Sequence, residues 1–425
     1  MLLAAPLLAK VLTTLALILL LNRLLKNLSA AVAAGTLILG LWAGHTAADI
    51  AAIAWRRTVS PDNLMLLATL LLVNYLGDLM SRTGVMADLV TVVRARVPRR
   101  LSLAALPAVI GFLPMPGGAL FSAPLVASWD REEELPGLLK TRVNYWFRHV
   151  WECWWPLYPA VLLALSLTGL EVWQFICAGL PVSLAAIAAG YVFLLRRLPG
   201  GADEAAPAAT ELRFWILVSP VLVVVAVYIL IQLLLPGVAA AGRYLPMLIG
   251  LVLALGTLQC QRRFNDWPRI LFSRRTLTLT LLVALIRVYG GLIEAPLPGG
   301  QLLVESLRRE LSMAGIPVML VMMLIPFISG LAMGLSVGAV GASFPIVLSM
   351  LGPEPGDGVL LSAAILAYGC GFVGQLLSPV HVCLVVSNAY FKTRVVESMK
   401  ALLLPLAAVL AAIVLVSRTI LMVWG

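Results

Sequence analysis

The chain has 425 residues, 61% of them apolar and only 12% charged, with a mean hydropathy of +1.01. A water-soluble domain of this length carries roughly a quarter charged residues, so a soluble enzyme or binding module is excluded. The net charge of +10 is scattered between apolar runs rather than gathered on one segment. That pattern excludes a nucleic-acid partner and fits the orientation signals of a membrane protein embedded in a lipid bilayer.

Crossing about 30 Å of hydrocarbon takes roughly 20 helical residues. Apolar runs that serve this purpose are predicted at 2–21, 28–44, 63–81, 137–168, 172–195, 212–235, 243–261, 276–294, 358–391 and 400–422. The first run has no basic residue before Lys10 and no small-x-small cleavage site, so it is expected to be a retained span, not a signal peptide. Two further apolar regions do not read as ordinary spans. Region 101–127 is interrupted by Pro114-Met115-Pro116-Gly117-Gly118, and region 315–350 carries Ser329-Gly330, Gly334, Ser336, Gly338, Gly341 and Ser343. Pro and Gly at this density free backbone groups that lipid cannot satisfy, so each region is expected to enter and leave the membrane on one side as a re-entrant hairpin.

This count makes a prediction about charge. With ten spans and two hairpins, 21 Lys and Arg residues fall on one side and seven on the other, leaving Arg148 and Arg287 inside apolar runs. The 21-charge side is expected to be cytoplasmic, which puts both termini outside an inner (cytoplasmic) membrane. Five cysteines, Cys153, Cys177, Cys260, Cys370 and Cys383, stand singly in apolar surroundings. Packing roles are expected for them, with no metal, disulfide or resident cofactor.

A polar linker at 198–211 divides the chain into 1–197 and 212–425, and the same order of features recurs in each part. A constant offset of 223 aligns Tyr145 with Tyr368, Val150 with Val373, Glu152 with Gln375 and Pro156 with Pro379. Each half has an odd number of crossings, so the halves are expected to be inverted repeats. The fold class read from the sequence is therefore an all-α polytopic membrane protein of two inverted repeats. It has about ten transmembrane helices, two re-entrant hairpins (101–127, 315–350) and two broken helices (137–168, 358–391).

The order of elements resembles the ion transporter superfamily, which includes citrate, dicarboxylate and gluconate permeases. The segments FLPMPGGALFSAPLV (112–126) and GFVGQLLSPVHVCLVVSNAYF (371–391) are most similar to an uncharacterised bacterial and archaeal branch grouped with gluconate permeases. The resemblance implies an elevator-type carrier, commonly a homodimer, moving organic anions with Na⁺ or H⁺. The dicarboxylate carriers bear Ser-Asn-Thr at both hairpin tips. Here the first tip is PMPGG, and the single Ser-Asn pair, Ser387-Asn388, lies at the end of a broken span. Their ion and substrate sites do not carry over.

Candidate residues cluster at the interruptions. Gly117 and Gly118, with Pro114, Met115, Pro116 and Ser122 around them, let backbone amides turn toward a carboxylate, although a tight turn alone also needs Gly and Pro. Ser329, Gly330 and Ser336 hold the corresponding place in the second hairpin. In the first broken span, Arg148, His149 and Glu152 are ionisable residues at membrane depth, which favours a coupling-ion role over a structural ion pair. If the helix runs through them, Arg148 and Glu152 are four apart and pair on one face. Glu152 is the proton-acceptor candidate, and His149 and His381 are candidate shuttles. Asn144, Gln375, Ser378 and Pro379 complete the expected substrate or cation set, with Ser387 and Asn388 secondary. Arg287, outside the broken elements, is expected to be structural.

No HExxH, Gly-rich nucleotide loop or second membrane aspartate supports an embedded enzyme. A channel remains an alternative, though opposed hairpins suit alternating access. The expected function is secondary active transport of a small organic anion coupled to H⁺, with Na⁺ coupling as the alternative.

Overall fold

A computed structural model describes residues 6–97, 99–112, 118–130, 135–196, 198, 211–264, 267–297, 300–301, 309–310, 313, 315, 317–352 and 354–425. Among them the chain is all-helical. The first half comprises α1 (Leu7–Leu25), α2 (Leu28–Trp42), α3 (Ala47–Thr58), α4 (Pro61–Arg82), α5 (Val85–Arg96), α6 (Arg99–Gly111), α7 (Ala119–Trp129), α8 (Gly137–Arg148), α9 (Pro159–Thr168) and α10 (Val172–Gly190). The α10 axis continues as one π-helical turn, Tyr191–Leu195. The second half comprises α11 (Glu211–Leu234), α12 (Pro236–Ala241), α13 (Leu245–Gln261), α14 (Trp267–Leu271), α15 (Arg274–Glu294), α16 (Val318–Met333), α17 (Ser336–Ser349), α18 (Asp357–Leu376), α19 (Val382–Tyr390) and α20 (Val395–Trp424).

Local chemistry starts and stops these helices. Asn27 and Ser273 cap α2 and α15 by accepting from Ala30 N and Thr276 N, and Thr46 with Asp49 forms a reciprocal capping box on α3. That box holds the Asp49 carboxyl below the usual carboxylate range, because the Thr46 hydroxyl and amide both donate to it. Pro61 and Pro159 stand in the first turns of α4 and α9, where a missing N–H costs nothing.

Six helices are long and apolar enough to cross a membrane, namely Pro61–Arg82, Val172–Leu195, Arg213–Leu234, Thr276–Glu294, Asp357–Leu376 and Val395–Trp424. The protein is a multi-pass membrane protein. Of the other predicted spans, α1 has 19 residues, while α2 and α13, at 15 and 17 residues, fall short of the roughly 20 expected for a full crossing. Region 137–168 is two helices, α8 and α9, set apart by a ten-residue segment of turns at 149–158. Its partner, 358–391, is α18 and α19 with a shorter break at 377–381.

The helix pairs α6–α7 and α16–α17 occupy the two predicted hairpins, and their packing is reciprocal. Each leans on the first arm of its own broken helix, α8 or α18, while α7 packs on α19 and α17 packs on α9. The same reciprocity reaches single atoms. A Cβ at Gly111 would lie 1.9 Å from the Arg148 carbonyl oxygen, and one at Gly330 would lie 2.1 Å from that of Gly371. Positions 148 and 371 are 223 apart, the offset of the sequence repeat. Tyr145 Oη donates to the Leu376 carbonyl at 3.1 Å, and Tyr368 Oη donates to the Glu152 carbonyl at 2.8 Å. Each tyrosine thus ties its own helix to the break of the opposite half.

Buried apolar side chains form two cores. One joins α1, α2, α4, α11, α13 and α15 and extends to α9 and α17. The other joins α7, α8, α10, α18, α19 and α20. At the border of the first core the C-terminal end of α9 carries the negative pole of its helix. Arg243 donates to the carbonyls of Leu165, Gly169 and Leu170, and Arg287 Nη1 donates to Ser166 O at 3.0 Å. Arg243→Ala leaves several carbonyls without a donor, so it is expected to destabilise the protein by about 1–2 kcal/mol. Thermal unfolding in detergent checks this, and Arg243→Lys should recover part of the loss.

Candidate functional site

A proline stands in each break. α8 ends at Arg148, and the backbone then closes short turns: Glu152 N bonds His149 O, and Trp155 N bonds Trp151 O, before Pro156. α18 ends at Leu376, and Ser378, Pro379 and the helix-capping His381 carry the chain into α19. Gly334, with φ +61, turns the second hairpin directly above this break, and a Cβ there would lie 2.9 Å from both His381 N and Ser378 Oγ. Only glycine fits that approach.

These three irregular segments converge on Glu152. Its Oε2 accepts from Gln375 Nε2 at 3.0 Å and from Ser336 Oγ at 3.1 Å. Ser336 is the first residue of α17, so the second hairpin tip reaches the carboxylate directly. Gln375 is the residue aligned with Glu152 by the repeat, so the two equivalent positions bond each other across the pseudo-twofold. Beside them His149 Nε2 and His381 Nε2 stand 3.1 Å apart, and His149 Nδ1 lies 2.6 Å from the Tyr145 carbonyl. Glu152 Oε1 lies 3.8 Å from His149 Nε2. Glu152, His149, His381 and Gln375 are all buried. Between α17 and α18, close to Ser336, is a narrow cavity of about 10 Å³ lined by Ser343, Tyr368 and Gly371. It is the size of a single water molecule.

Arg148 corrects the expectation of an Arg148–Glu152 pair along one helix face. The helix stops at Arg148, so the four-residue spacing no longer puts the two side chains on one helix face. The guanidinium turns instead to the first hairpin, where a Cβ on Gly118 would lie 2.5 Å from Arg148 Nη2. Gly118 precedes α7, so a cation and the positive end of a helix share one place. Both favour an anion there.

The family described as "Protein of unknown function (DUF401)" matches residues 8–420. The chain belongs to that family. No curated protein matches it. Among solved structures it is similar to the Alcanivorax borkumensis YdaH transporter, described as having an unusual topology. The TM-score is 0.57 at 13% identity, over 85% of this chain and 86% of that one. At that identity the likeness establishes the fold.

In this DUF401 chain the remaining candidates separate. Ser329 and Gly330 are buried on α16 against α18, and Gly330 touches backbone. Ser378 Oγ accepts from Val380 N at 3.4 Å, while Pro379 is exposed and shapes the break without facing the cluster. Ser122 Oγ bonds back to Gly118 O at 3.4 Å within its own helix. Asn144 Nδ2 donates to Ser387 Oγ at 2.8 Å, pairing α8 with α19, and Asn388 Oδ1 separately accepts from Thr393 and from Ser398 of α20. Pro114, Met115, Pro116 and Gly117 lie outside the described residues. The functional reading of the sequence passed over Tyr145, Tyr368 and Cys383. The 223 offset already pairs the two tyrosines. Cys383 follows His381 by two residues, and nothing in that spacing signals that it faces His149.

Proposed function

We propose that the protein is a secondary active transporter of a small organic anion, a carboxylate, coupled to protons and working by an elevator-type alternating access. One observation carries this reading. A carboxylate, an amide and two imidazoles from opposite halves of the chain are buried together where two broken helices and a hairpin tip meet. Broken helices that meet between repeats are where secondary transporters hold substrate and coupling ion. The likeness of fold to a solved transporter and the resemblance of the chain's organisation to the ion transporter superfamily support the same reading.

Roles follow from chemistry. Arg148 and the amides that open α7 hold the substrate carboxylate. Glu152 carries the coupling proton, and Gln375 and Ser336 are the donors that it must release when the second hairpin opens. Two apolar cores, one with the scaffold-like α1, α2, α4, α11, α13 and α15, provide two bodies that slide past each other. The carrier functions as a homodimer in the inner membrane with both termini outside. Na⁺ is the alternative coupling ion.

Ligand-dependent stabilisation tests the substrate class. A true substrate at a hundredfold excess over its dissociation constant is expected to raise stability by about 2.7 kcal/mol. A panel of mono-, di- and sugar-acid anions in detergent should contain at least one such compound, and Arg148→Gln should remove its effect. A panel that leaves the unfolding temperature unchanged removes the anion reading.

A further inference from the structure

Cys383 has no part in the transport reading, yet it completes a set of metal-ligating side chains. The ring nitrogens of His149 and His381 and the Cys383 Sγ all lie within 4.8 Å of one another, and all three residues are buried. Glu152 Oε1 stands next to this group, 3.8 Å from His149 Nε2. No other such group occurs among the described residues.

Hydrogen bonding shows which lone pairs point inward. His149 Nδ1 faces the Tyr145 carbonyl, an acceptor only, so Nδ1 bears the proton and Nε2 presents its lone pair to the cluster. A carbonyl holding the outer nitrogen is the usual orienting partner of a metal-bound imidazole. His381 Nε2 meets that lone pair at 3.1 Å. Two nitrogens bound to one tetrahedral ion at about 2.0–2.1 Å lie roughly 3.3 Å apart, so the spacing already suits a shared ion. In the metal-free cluster His381 Nε2–H donates to that lone pair.

We infer that His149 Nε2, His381 Nε2 and Cys383 Sγ form a site for a borderline divalent transition-metal ion of the Zn²⁺ class, and that the Glu152 carboxylate, 3.8 Å from His149 Nε2 but outside that close set, moves in as the fourth ligand. The donor set of two imidazoles, one thiolate and one carboxylate suits Zn²⁺ or Co²⁺, whereas Mg²⁺ and Ca²⁺ require six or more oxygen ligands. Binding releases the Cys383 thiol proton, and the thiolate and carboxylate charges then balance the ion. Arg148, the neighbouring cation, stays turned toward Gly118. The ion would tie the first break to α19 and would displace the proton shared between the imidazoles. It therefore competes with coupling and does not assist it. The inference does not depend on the transport reading, since the ion can be measured on protein that is not transporting.

The test is a Co²⁺ titration of the full-length, EDTA-stripped protein in detergent. One equivalent should bind, giving a thiolate-to-Co²⁺ charge-transfer band in the near ultraviolet and visible bands of tetrahedral intensity, all displaced by one equivalent of Zn²⁺. Cys383→Ser should lose the charge-transfer band and weaken binding by more than the roughly 10–100-fold typical of an outer-shell partner. His149→Gln and His381→Gln should each abolish tight binding, while Cys153→Ser and Cys370→Ser should leave it intact. X-ray absorption of the Zn²⁺-loaded wild type reads the same point without a variant, with one sulfur at about 2.3 Å and nitrogen or oxygen neighbours at about 2.0 Å. A wild type with no charge-transfer band, a shell of nitrogen and oxygen alone, or a band that survives Cys383→Ser overturns the site. Uptake measurements are untouched by any of these outcomes, so the metal site and the transport reading fail separately.

Discussion

Replacing Glu152 with Gln is expected to reduce proton-driven uptake by at least about tenfold, because two charge-assisted bonds are worth about 1.5–3 kcal/mol each and the proposed carrier of the coupling proton is removed. Glu152 is the one buried acidic side chain in the two broken helices, and its Oε2 joins Ser336 of the second hairpin to Gln375 of the second break. Glutamine keeps the shape and still accepts through its carbonyl oxygen, so folding should survive. A cation-independent exchange of substrate across the membrane should persist, while accumulation driven by a pH gradient should vanish. Gln375→Glu would set a second carboxylate beside the first, and like charges at that separation disfavour ionising both. That variant should fold and should shift the pH dependence of uptake. Unchanged proton-driven accumulation in Glu152→Gln would remove Glu152 as the proton carrier.

The second large effect is steric. Gly330→Ala is expected to destabilise the protein by about 1–3 kcal/mol, toward the upper end, because the obstacle is rigid backbone. The new methyl would sit 2.1 Å from the Gly371 carbonyl oxygen and 2.8 Å from Gln375 N, and a Cβ on Gly374 would in return lie 2.1 Å from Phe327 O. α16 and α18 therefore touch backbone to backbone, the close approach that small residues allow between membrane helices. Pushing α16 outward also moves the turn at Gly334 and with it Ser336. Gly330→Ala should then lower both the unfolding temperature and uptake. Gly256→Ala on α13 is the control. Nothing lies within 4 Å of its Cβ position, so it should be neutral or stabilise by about 0.5–1 kcal/mol. Equal effects of the two substitutions would mean that the α16–α18 approach is not tight.

Some of this site was readable from the residues alone. Proline and glycine cannot be placed cheaply in lipid, so their density marked both hairpins and both breaks before any coordinates. The 223 offset matched Glu152 with Gln375, but an alignment yields equivalence, not contact, and the direct bond between them came only with the fold. Arg148 and Glu152 do not share a helix face, because Pro156 does not act alone. The chain leaves the helix at Arg148, eight residues earlier, and the Trp-rich segment 149–158 closes into turns. His149 and His381 are 232 positions apart, and no periodicity links residues that meet only because two repeats fold against each other. Asn144 and Ser387 were legible as polar residues at membrane depth, and their pairing away from Glu152 was not. Cys383 stood singly in sequence, which made packing the natural reading until α19 brought it beside two imidazoles.

The central claim is that this buried meeting of two breaks belongs to a carrier. Its most direct test is uptake of radiolabelled organic anions into proteoliposomes holding the purified protein, under an imposed pH gradient, an imposed Na⁺ gradient, or neither. Saturable accumulation of at least one carboxylate under the pH gradient, abolished by a protonophore and absent in Glu152→Gln, is the predicted result. No saturable uptake of any anion under any gradient, from protein that is folded and inserted, would contradict the account.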